Sequence, residues 1–225
     1  TFDAGPTVIT DPACLEELWA LSGSRMVDDV TLVPVAPFYR LLWNDGTRFD
    51  YSNDEAALNA EIARLDPADV AGYARFLEYS RSVYNEGYVK LGAVPFLRFS
   101  SMIKAAPALM KHQAWRSVYD LVSSFVRHDK LRQALSFHTL LVGGNPMKTS
   151  SIYALIHHLE KTGGVWFAKG GTNALVAGMV ALFERLGGQM VLGDAVARVL
   201  HTGDRVTGVT TASGRRLNAD LVASN

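Results

Sequence analysis

Hydrophobic residues follow their clearest pattern in the last third of the chain, from residue 164 onward. The bulky apolar run 165–167 predicts a buried strand, which the Gly170-Gly171 pair interrupts. Thr172 can then cap a helix, and Gly187-Gly188 ends it. The apolar residues on one face of this helix are Leu175, Met179, Leu182, Phe183 and Leu186. Runs rich in β-branched residues predict short strands at 189–192, 196–201, 206–211 and 216–223.

Upstream of this unit, the pattern predicts a small sheet followed by a mostly helical region. Residues 32–35, 38–43 and 48–51 are predicted strands, and Asn44-Asp45-Gly46 is a hairpin signal between the last two. The aromatic residues of this sheet either line an apolar pocket or belong to the core. Helices are predicted from Pro12 to about Gly23 and over the ranges 53–65, 66–89, 113–125, 129–141 and 149–161.

The segment 91–111 is apolar except for three basic residues, Arg98, Lys104 and Lys111. A helix of this composition can lie at a membrane surface, where lysine and arginine stems reach toward anionic head groups. The same composition also suits a helix buried against its neighbours, and the residues by themselves favour that second interpretation.

Composition excludes several classes of protein. The chain has 225 residues, of which 48% are hydrophobic and 20% charged, as in ordinary globular proteins. Its net charge is zero and it has no basic block, which argues against a nucleic-acid partner. One cysteine, Cys14, excludes an intrachain disulfide. The chain starts without Met and stops directly after a predicted strand, so we expect a fragment of a longer protein.

The polar residues do not form a familiar catalytic set. His157 and His158 are adjacent on a predicted helix, so their side chains diverge by about 100° and do not easily share one metal ion. The other four histidines stand singly, and we predict no metal site. The sequence contains neither a Gly-x-Ser-x-Gly elbow nor a phosphate-binding Gly-x-Gly-x-x-Gly turn.

Several segments resemble one family. The unit 164–225 resembles the second FAD-binding segment of the flavin-dependent amine oxidase and phytoene desaturase superfamily, and 1–7 resembles its flavin-contacting turn. The segments 37–40, 113–119 and, above all, Leu-Leu-Val-Gly-Gly-Asn-Pro at 140–146 resemble bacterial-type phytoene desaturases. One departure is Ala168, which stands where relatives often carry proline.

The resemblance implies an α/β (α+β) fold. An incomplete FAD-binding Rossmann-like domain, formed by 1–10 and 163–225, would be interrupted by a mixed-sheet and largely helical substrate- and membrane-binding domain, 11–162. The cofactor would be FAD. The resemblance places the backbone of Gly5, Pro6 and Thr7 near the isoalloxazine ring and that of Val196 near the adenine. The missing dinucleotide fingerprint would then lie upstream of Thr1.

The implied activity is FAD-dependent desaturation of phytoene towards lycopene, by hydride transfer to the flavin and loss of a proton. The partner would be phytoene or a related long polyene, and the protein would be cytoplasmic, bound peripherally to the inner face of the cell membrane. Asp3, Asp120 and Glu160 are candidate bases among which the sequence does not choose. The alternatives are a desaturase, oxidase or isomerase of another polyene, or an inert lipid- or carotenoid-binding module. We expect residues 1–225 alone to bind FAD weakly without turnover.

Overall fold

A computed structural model describes residues 7–92, 94–95, 97 and 99–224, with only the backbone of Phe99. The chain divides into two compact units, Thr1–Leu175 and Val176–Asn225. Helices and small antiparallel sheets make up the described residues, which confirms the mixed α/β class. All the strand pairings of the named sheets are antiparallel, so the expected mixed sheet is instead a set of short antiparallel ones.

The amino-terminal elements form where local signals predicted them. Helix α1, Pro12–Ala20, begins after Asp11, whose carboxylate accepts the Cys14 N–H at 3.4 Å. Strands β1, Leu32–Pro34, β2, Tyr39–Leu42, and β3, Arg48–Tyr51, follow. The β2–β3 hairpin closes through Gly46, which has a φ of +80° and donates its N–H to Trp43 O at 2.9 Å.

Strand β4, Trp166–Ala168, lies between β1 and the opening segment. Val33 is paired with Phe167 across β1–β4, and the Ile9 and Trp166 backbones exchange two hydrogen bonds of 2.8 Å. Val165 beside this strand is 1% exposed, whereas Trp166 and Phe167 are half-buried, so the run predicted to be buried is buried only in part. The residues that open the chain and those that follow the helical region therefore share one small sheet.

The helical region packs on the β2–β3 hairpin. It comprises α2 Glu55–Leu65, α3 Asp69–Tyr84, a π-helix Asn85–Lys90, α4 Phe99–Lys111, α5 Val118–Ser123, α6 Asp129–Ser136 and α7 Leu155–Gly163. Short 3-10 helices at Phe137–Val142 and Ser151–Ala154 connect the later ones. The core residues include Phe38, Phe49, Tyr51, Leu58, Ile62, Phe76, Leu121, Leu131 and Leu135.

Two predicted helices are shorter than their apolar patterns. The helix predicted over 113–125 starts only at Val118, because Gln113 has a left-handed φ of 50° and Ser117 caps the helix instead. Ser117 Oγ accepts the Asp120 N–H at 3.0 Å. The helix predicted over 129–141 is α-helical to Ser136 and then tightens into the 3-10 helix.

The second unit begins within α8, Thr172–Arg185, and continues in three strands. These are β5 Val196–Thr202, β6 Arg205–Thr211 and β7 Arg216–Asn218, in the order β5-β6-β7. Residues 189–192, which were predicted to form a strand, have an irregular backbone instead. No described strand pairs with them, and Leu192 is 83% exposed. The strand predicted over 216–223 ends at Asn218.

Candidate functional site

The predicted flavin-contacting turn leads into the β1–β4 sheet. Gly5 and Pro6 lie outside the described residues, whereas Thr7 is exposed and precedes the Ile9 bridge to Trp166. The Trp166 indole N–H donates to Gly163 O at 2.6 Å, which anchors the side chain at the end of α7. The sheet therefore holds Thr7 two residues from a fixed backbone pairing.

The Gly170-Gly171 turn is attached to the other end of β4. Both glycines have left-handed backbones, with φ of +96° and +83°. Gly171 donates its N–H to Ala168 O at 2.8 Å, and Ala174 donates to Gly171 O at 3.0 Å. A side chain at Gly170 would also meet Ala174 Cβ at 3.2 Å. Glycine is thus required for the tight connection from β4 into α8.

Val196 lies in the second unit, as the first residue of β5. Its side chain is 57% exposed, and a register shift separates it from Arg198. Because β5 is the edge of the described three-stranded sheet, its backbone has no strand neighbour on one side within that sheet. An edge of this kind leaves backbone groups accessible to a ligand.

Helix α4 presents two apolar faces. Its buried face carries Ala105, which is 3% exposed, and His112 directly after the helix is buried to the same degree. The outward face carries large apolar side chains that are 46–66% exposed: Met102, Ile103 and Met110. The lysines Lys104 and Lys111 are also exposed. One face of this helix is thus packed, as the second interpretation expects, while the membrane interpretation of the open face stays a prediction.

Two apolar cavities lie in the helical region. The first, of about 320 Å³, is the π-helix cavity, between the π-helix and α4. Its walls include Glu86, Gly87, Leu91, Leu109, His112 and Ile152. The second, of about 340 Å³, is the hairpin cavity, whose walls include Leu41, Trp43, Tyr119, Phe137, Leu140 and Pro146.

Some aromatic residues of the hairpin belong to the core, and one lines an apolar cavity. Phe49 and Tyr51 are fully buried in the core, whereas Trp43 lines the hairpin cavity. The predicted 140–146 motif contributes Leu140 and Pro146 to the same cavity.

The two candidate bases that the structure describes, Asp120 and Glu160, occupy unlike environments. Asp3 lies outside the described residues. Asp120 is exposed in the first turn of α5, where its carboxylate accepts the Ser117 hydroxyl at 2.7 Å. Glu160 is fully buried on α7. The structure therefore does not bring Asp120 and Glu160 together, and it gives Asp120 a capping role.

Glu160 belongs to a buried cluster that we call the tyrosine–histidine cluster: Tyr39, Tyr51, His138, His157 and Glu160. Tyr39 donates its hydroxyl to Glu160 Oε1 at 2.6 Å, and His138 Nε2 lies 3.0 Å from Glu160 Oε2. His157 Nδ1 is 2.9 Å from the Tyr51 hydroxyl, and its Nε2 is 2.7 Å from Leu135 O. Ring contacts connect the two halves, with His138 and His157 centroids 4.0 Å apart.

Burial is the main cause of the pKa shifts of His157 and Tyr39 in this cluster. It holds the pKa of His157 well below its usual value, and the neighbouring His138 lowers it further, so His157 is neutral at neutral pH. Burial, followed by the charge of Glu160, raises the pKa of Tyr39 far above its ordinary value. Sequence reasoning missed this cluster because Tyr39 and Glu160 are 121 positions apart, and only the folded chain joins them.

The described residues also bear on metal binding and on membrane spanning. Within that part of the chain, no group of three or more His, Cys, Asp or Glu side chains is arranged to hold a metal ion. None of the helices described is long and apolar enough to cross a membrane.

Comparison with known protein families shows which family the chain belongs to. The model of the family described as flavin containing amine oxidoreductase matches residues 1–224. The chain belongs to this family. The resemblance found in the motifs at 1–7, 140–146 and 164–225 is thereby confirmed.

Curated relatives refine the similarity. The chain is 65% identical to a lycopene-forming phytoene desaturase of Paracoccus sp. and 56% identical to one of Pantoea ananas, with 100% of the chain aligned in both. It is 42% identical, again over its whole length, to a neurosporene-forming phytoene desaturase of Cereibacter sphaeroides. The alignments cover 45%, 46% and 43% of those proteins, so the chain spans about half the length of the relatives it matches.

Proposed function

We propose that this chain is part of an FAD-dependent desaturase that converts phytoene towards lycopene. The observation that carries the proposal is the identity of 56–65%, over the whole chain, to relatives named as lycopene-forming phytoene desaturases. The exposed apolar face of α4 and the two apolar cavities support a hydrocarbon substrate, because such a molecule is bound by apolar surface at about 25 cal/mol per Å² buried.

In this proposal, residues 1–10 and 163–225 contribute to a Rossmann-like FAD-binding domain, and 11–162 form the inserted substrate domain. The pairing of Ile9 with Trp166 supports this arrangement, because it joins the two predicted cofactor segments on one sheet. Two features of the described residues support the cofactor proposal: Thr7 is exposed beside the Ile9 pairing, and Val196 lies at the start of an edge strand. Gly5, Pro6, Thr7 and Val196 remain the proposed FAD contacts.

Bound FAD would supply the hydride acceptor, and the protein would align the substrate and exclude water. The apolar walls of the hairpin cavity suit the second task, since they offer few polar atoms to water. Glu160 is not the base in this proposal, because it is fully buried and lines neither of the apolar cavities. The base remains unassigned.

The proposal also includes peripheral attachment to an anionic membrane through α4. Met102, Ile103 and Met110 would enter the apolar layer, while Lys104 and Lys111 would meet the head groups. A substrate dissolved in the bilayer would then reach the protein without crossing water.

The test uses the complete protein, expressed from its full coding sequence, with phytoene in phosphatidylglycerol-containing liposomes. We expect flavin absorbance in the purified protein and chromatographic conversion of phytoene to lycopene. If neurosporene is the end product, the protein would resemble the Cereibacter relative in its product, and the proposal that it is a desaturase would still hold. A colourless protein that binds phytoene without turnover, even after reconstitution with FAD, would refute the desaturase proposal and favour the inert binding module.

A further inference from the structure

The walls of the hairpin cavity contain four polar side chains, and each already has a partner within the protein. Trp43 donates its indole N–H to Gln133 Oε1 at 2.8 Å, and Gln133 donates its amide to Asp129 Oδ2 at 2.6 Å. The Tyr119 hydroxyl donates to the other oxygen of Asp129 at 2.8 Å, and the Ser136 hydroxyl donates to Gln133 O at 3.3 Å. The polar groups of these side chains are therefore satisfied without a ligand.

The other walls of this cavity are apolar. Those that the structure describes are Leu41, Leu42, Phe137, Leu140, Pro146 and Met147. None of the described residues that line the cavity carries a charge. Burying a hydroxyl or carboxylate without a new hydrogen bond is costly, because the group gives up its bonds to water. The cavity therefore favours a molecule that has no polar atoms to bury.

The walls are held in place by contacts within the protein. Tyr119 donates its N–H to Pro146 O at 3.2 Å, which joins two of the walls. The Phe137 ring stands edge-on to that of Tyr39, with the centroids 5.0 Å apart. A pre-formed cavity of this kind reduces the entropy cost of binding, since the ligand does not have to order the walls.

The cavity continues onto an exposed apolar rim, formed by Leu42, Leu140 and Met147. These residues line the cavity, yet they are 71%, 59% and 56% exposed. The volume of about 340 Å³ is at the lower end of the sizes that small-molecule sites occupy. A long molecule would therefore place one segment inside the cavity and the adjoining segment against the rim.

We propose that the hairpin cavity and its apolar rim bind a long hydrocarbon chain without oxygen groups. The identity of that hydrocarbon as phytoene rests on the proposed function, whereas the ligand class rests on the walls alone. The π-helix cavity is the less suitable of the two for such a ligand, because Glu86 and His112 are among its walls.

Binding is tested on the complete protein in detergent-free buffer with 1,6-diphenylhexatriene, a linear polyene hydrocarbon that fluoresces in apolar surroundings. We expect saturable binding by the native protein. Leu140→Glu should weaken it at least about tenfold, because the probe loses apolar contact and the new carboxylate would lose water. No saturable binding by the native protein, or unchanged binding by a folded Leu140→Glu variant, would overturn the proposal.

Leu141→Glu is the matched control. Leu141 is the next residue of the same 3-10 helix and is 49% exposed, but it is not among the described walls of the cavity. This variant should bind the probe as the native protein does, and equal losses in both variants would contradict the proposed location. Ala108→Phe fills the π-helix cavity and should also leave binding intact. Loss of binding in Ala108→Phe, with none in Leu140→Glu, would assign the probe to that other cavity.

Competition between n-dodecane and 1-dodecanol tests the preference for a hydrocarbon. The alcohol should displace the probe no better than the alkane, because the wall groups already have partners. Displacement by 1-dodecanol at an at least about fivefold lower concentration would reveal a hydrogen bond inside the cavity and contradict the proposed ligand class.

Turnover of phytoene in liposomes separates this inference from the proposed function. Leu140→Glu should raise the half-saturating phytoene content at least about tenfold with little change in the maximal rate, as loss of uniform substrate binding does. Leu141→Glu should change neither value. Desaturation with unchanged half-saturation in Leu140→Glu would refute this substrate site and leave the desaturase proposal standing. Leu140-dependent binding of the probe by a protein that does not desaturate phytoene would do the reverse.

Discussion

At the scale of single residues, Glu160 shows how burial constrains a role. Its carboxylate is 0% exposed and accepts hydrogen bonds from Tyr39 and His138, which come from the hairpin and from the 3-10 helix after α6. A general base must come within hydrogen-bond reach of the substrate. Glu160 is fully buried and lines neither of the cavities described above, so its carboxylate serves to join three elements in the core.

Removing the Tyr39 hydroxyl tests that role. Tyr39→Phe leaves Glu160 Oε1 buried without its 2.6 Å partner, and an orphaned buried acceptor costs about 1–3 kcal/mol. We expect the free energy of unfolding of the complete protein to fall by about that amount in urea titrations. The flavin reduction rate per folded molecule should be unchanged.

Tyr153→Phe is the matched control, because Tyr153 is 38% exposed. It should change the free energy of unfolding by less than about 0.5 kcal/mol, as surface substitutions usually do. Equal stability of Tyr39→Phe and the native protein would show that the Glu160 hydrogen bond contributes nothing, and the structural role would fail.

At the scale of elements, local signals predicted the fold well where one residue decides the backbone. Asp54 caps α2 by accepting the Ala57 N–H at 2.9 Å, and Gly46 supplies the left-handed hairpin position. The predictions failed where the conformation of a segment depends on the neighbouring segments that it packs against. Residues 189–192 have strand composition but no described neighbour strand, and Gln113 interrupts a continuous apolar pattern. Likewise, no local sequence pattern indicates that the side chains of His138 and Glu160 are in contact.

Helix α4 is the element whose sequence supported two opposed interpretations. Apolar composition alone does not tell a packed face from a membrane face, because both lack charge. The structure separates them by burial: Ala105 is packed, whereas Ile103 is 59% exposed beside the exposed Lys104. The open face is the one that the membrane proposal requires.

A charge on the open face tests membrane attachment. Ile103→Glu should weaken binding of the complete protein to phosphatidylglycerol vesicles by about tenfold or more, since burying one isoleucine is worth about 1.5–3 kcal/mol and the new carboxylate is repelled. Vesicle flotation measures the bound fraction. Leu18→Glu, at a 42% exposed position of α1, should bind as the native protein does. Equal losses in both variants would indicate a general effect of charge, and no loss in Ile103→Glu would exclude this face.

At the scale of the whole molecule, the proposed cofactor contacts are distributed along the chain. Thr7 adjoins a sheet pairing in the first unit, Val196 lies on a strand edge in the second, and Gly5 and Pro6 lie outside the described residues. Each position offers backbone rather than charged side chains. Backbone contacts of this kind suit the ring systems of a flavin cofactor, and the given sequence has no Gly-x-Gly-x-x-Gly turn for its phosphates.

That distribution predicts how flavin binding depends on the length of the protein. The 225-residue sequence has no Gly-x-Gly-x-x-Gly turn, and a backbone cradle of this type provides the main phosphate contacts in dinucleotide sites. Residues 1–225 expressed alone should therefore lose FAD during gel filtration, whereas the complete protein should retain about one flavin per chain. Circular dichroism and a cooperative thermal transition would establish that the shorter protein is folded. Stoichiometric flavin carried through the column by residues 1–225 would show that these ring contacts hold the cofactor without the cradle.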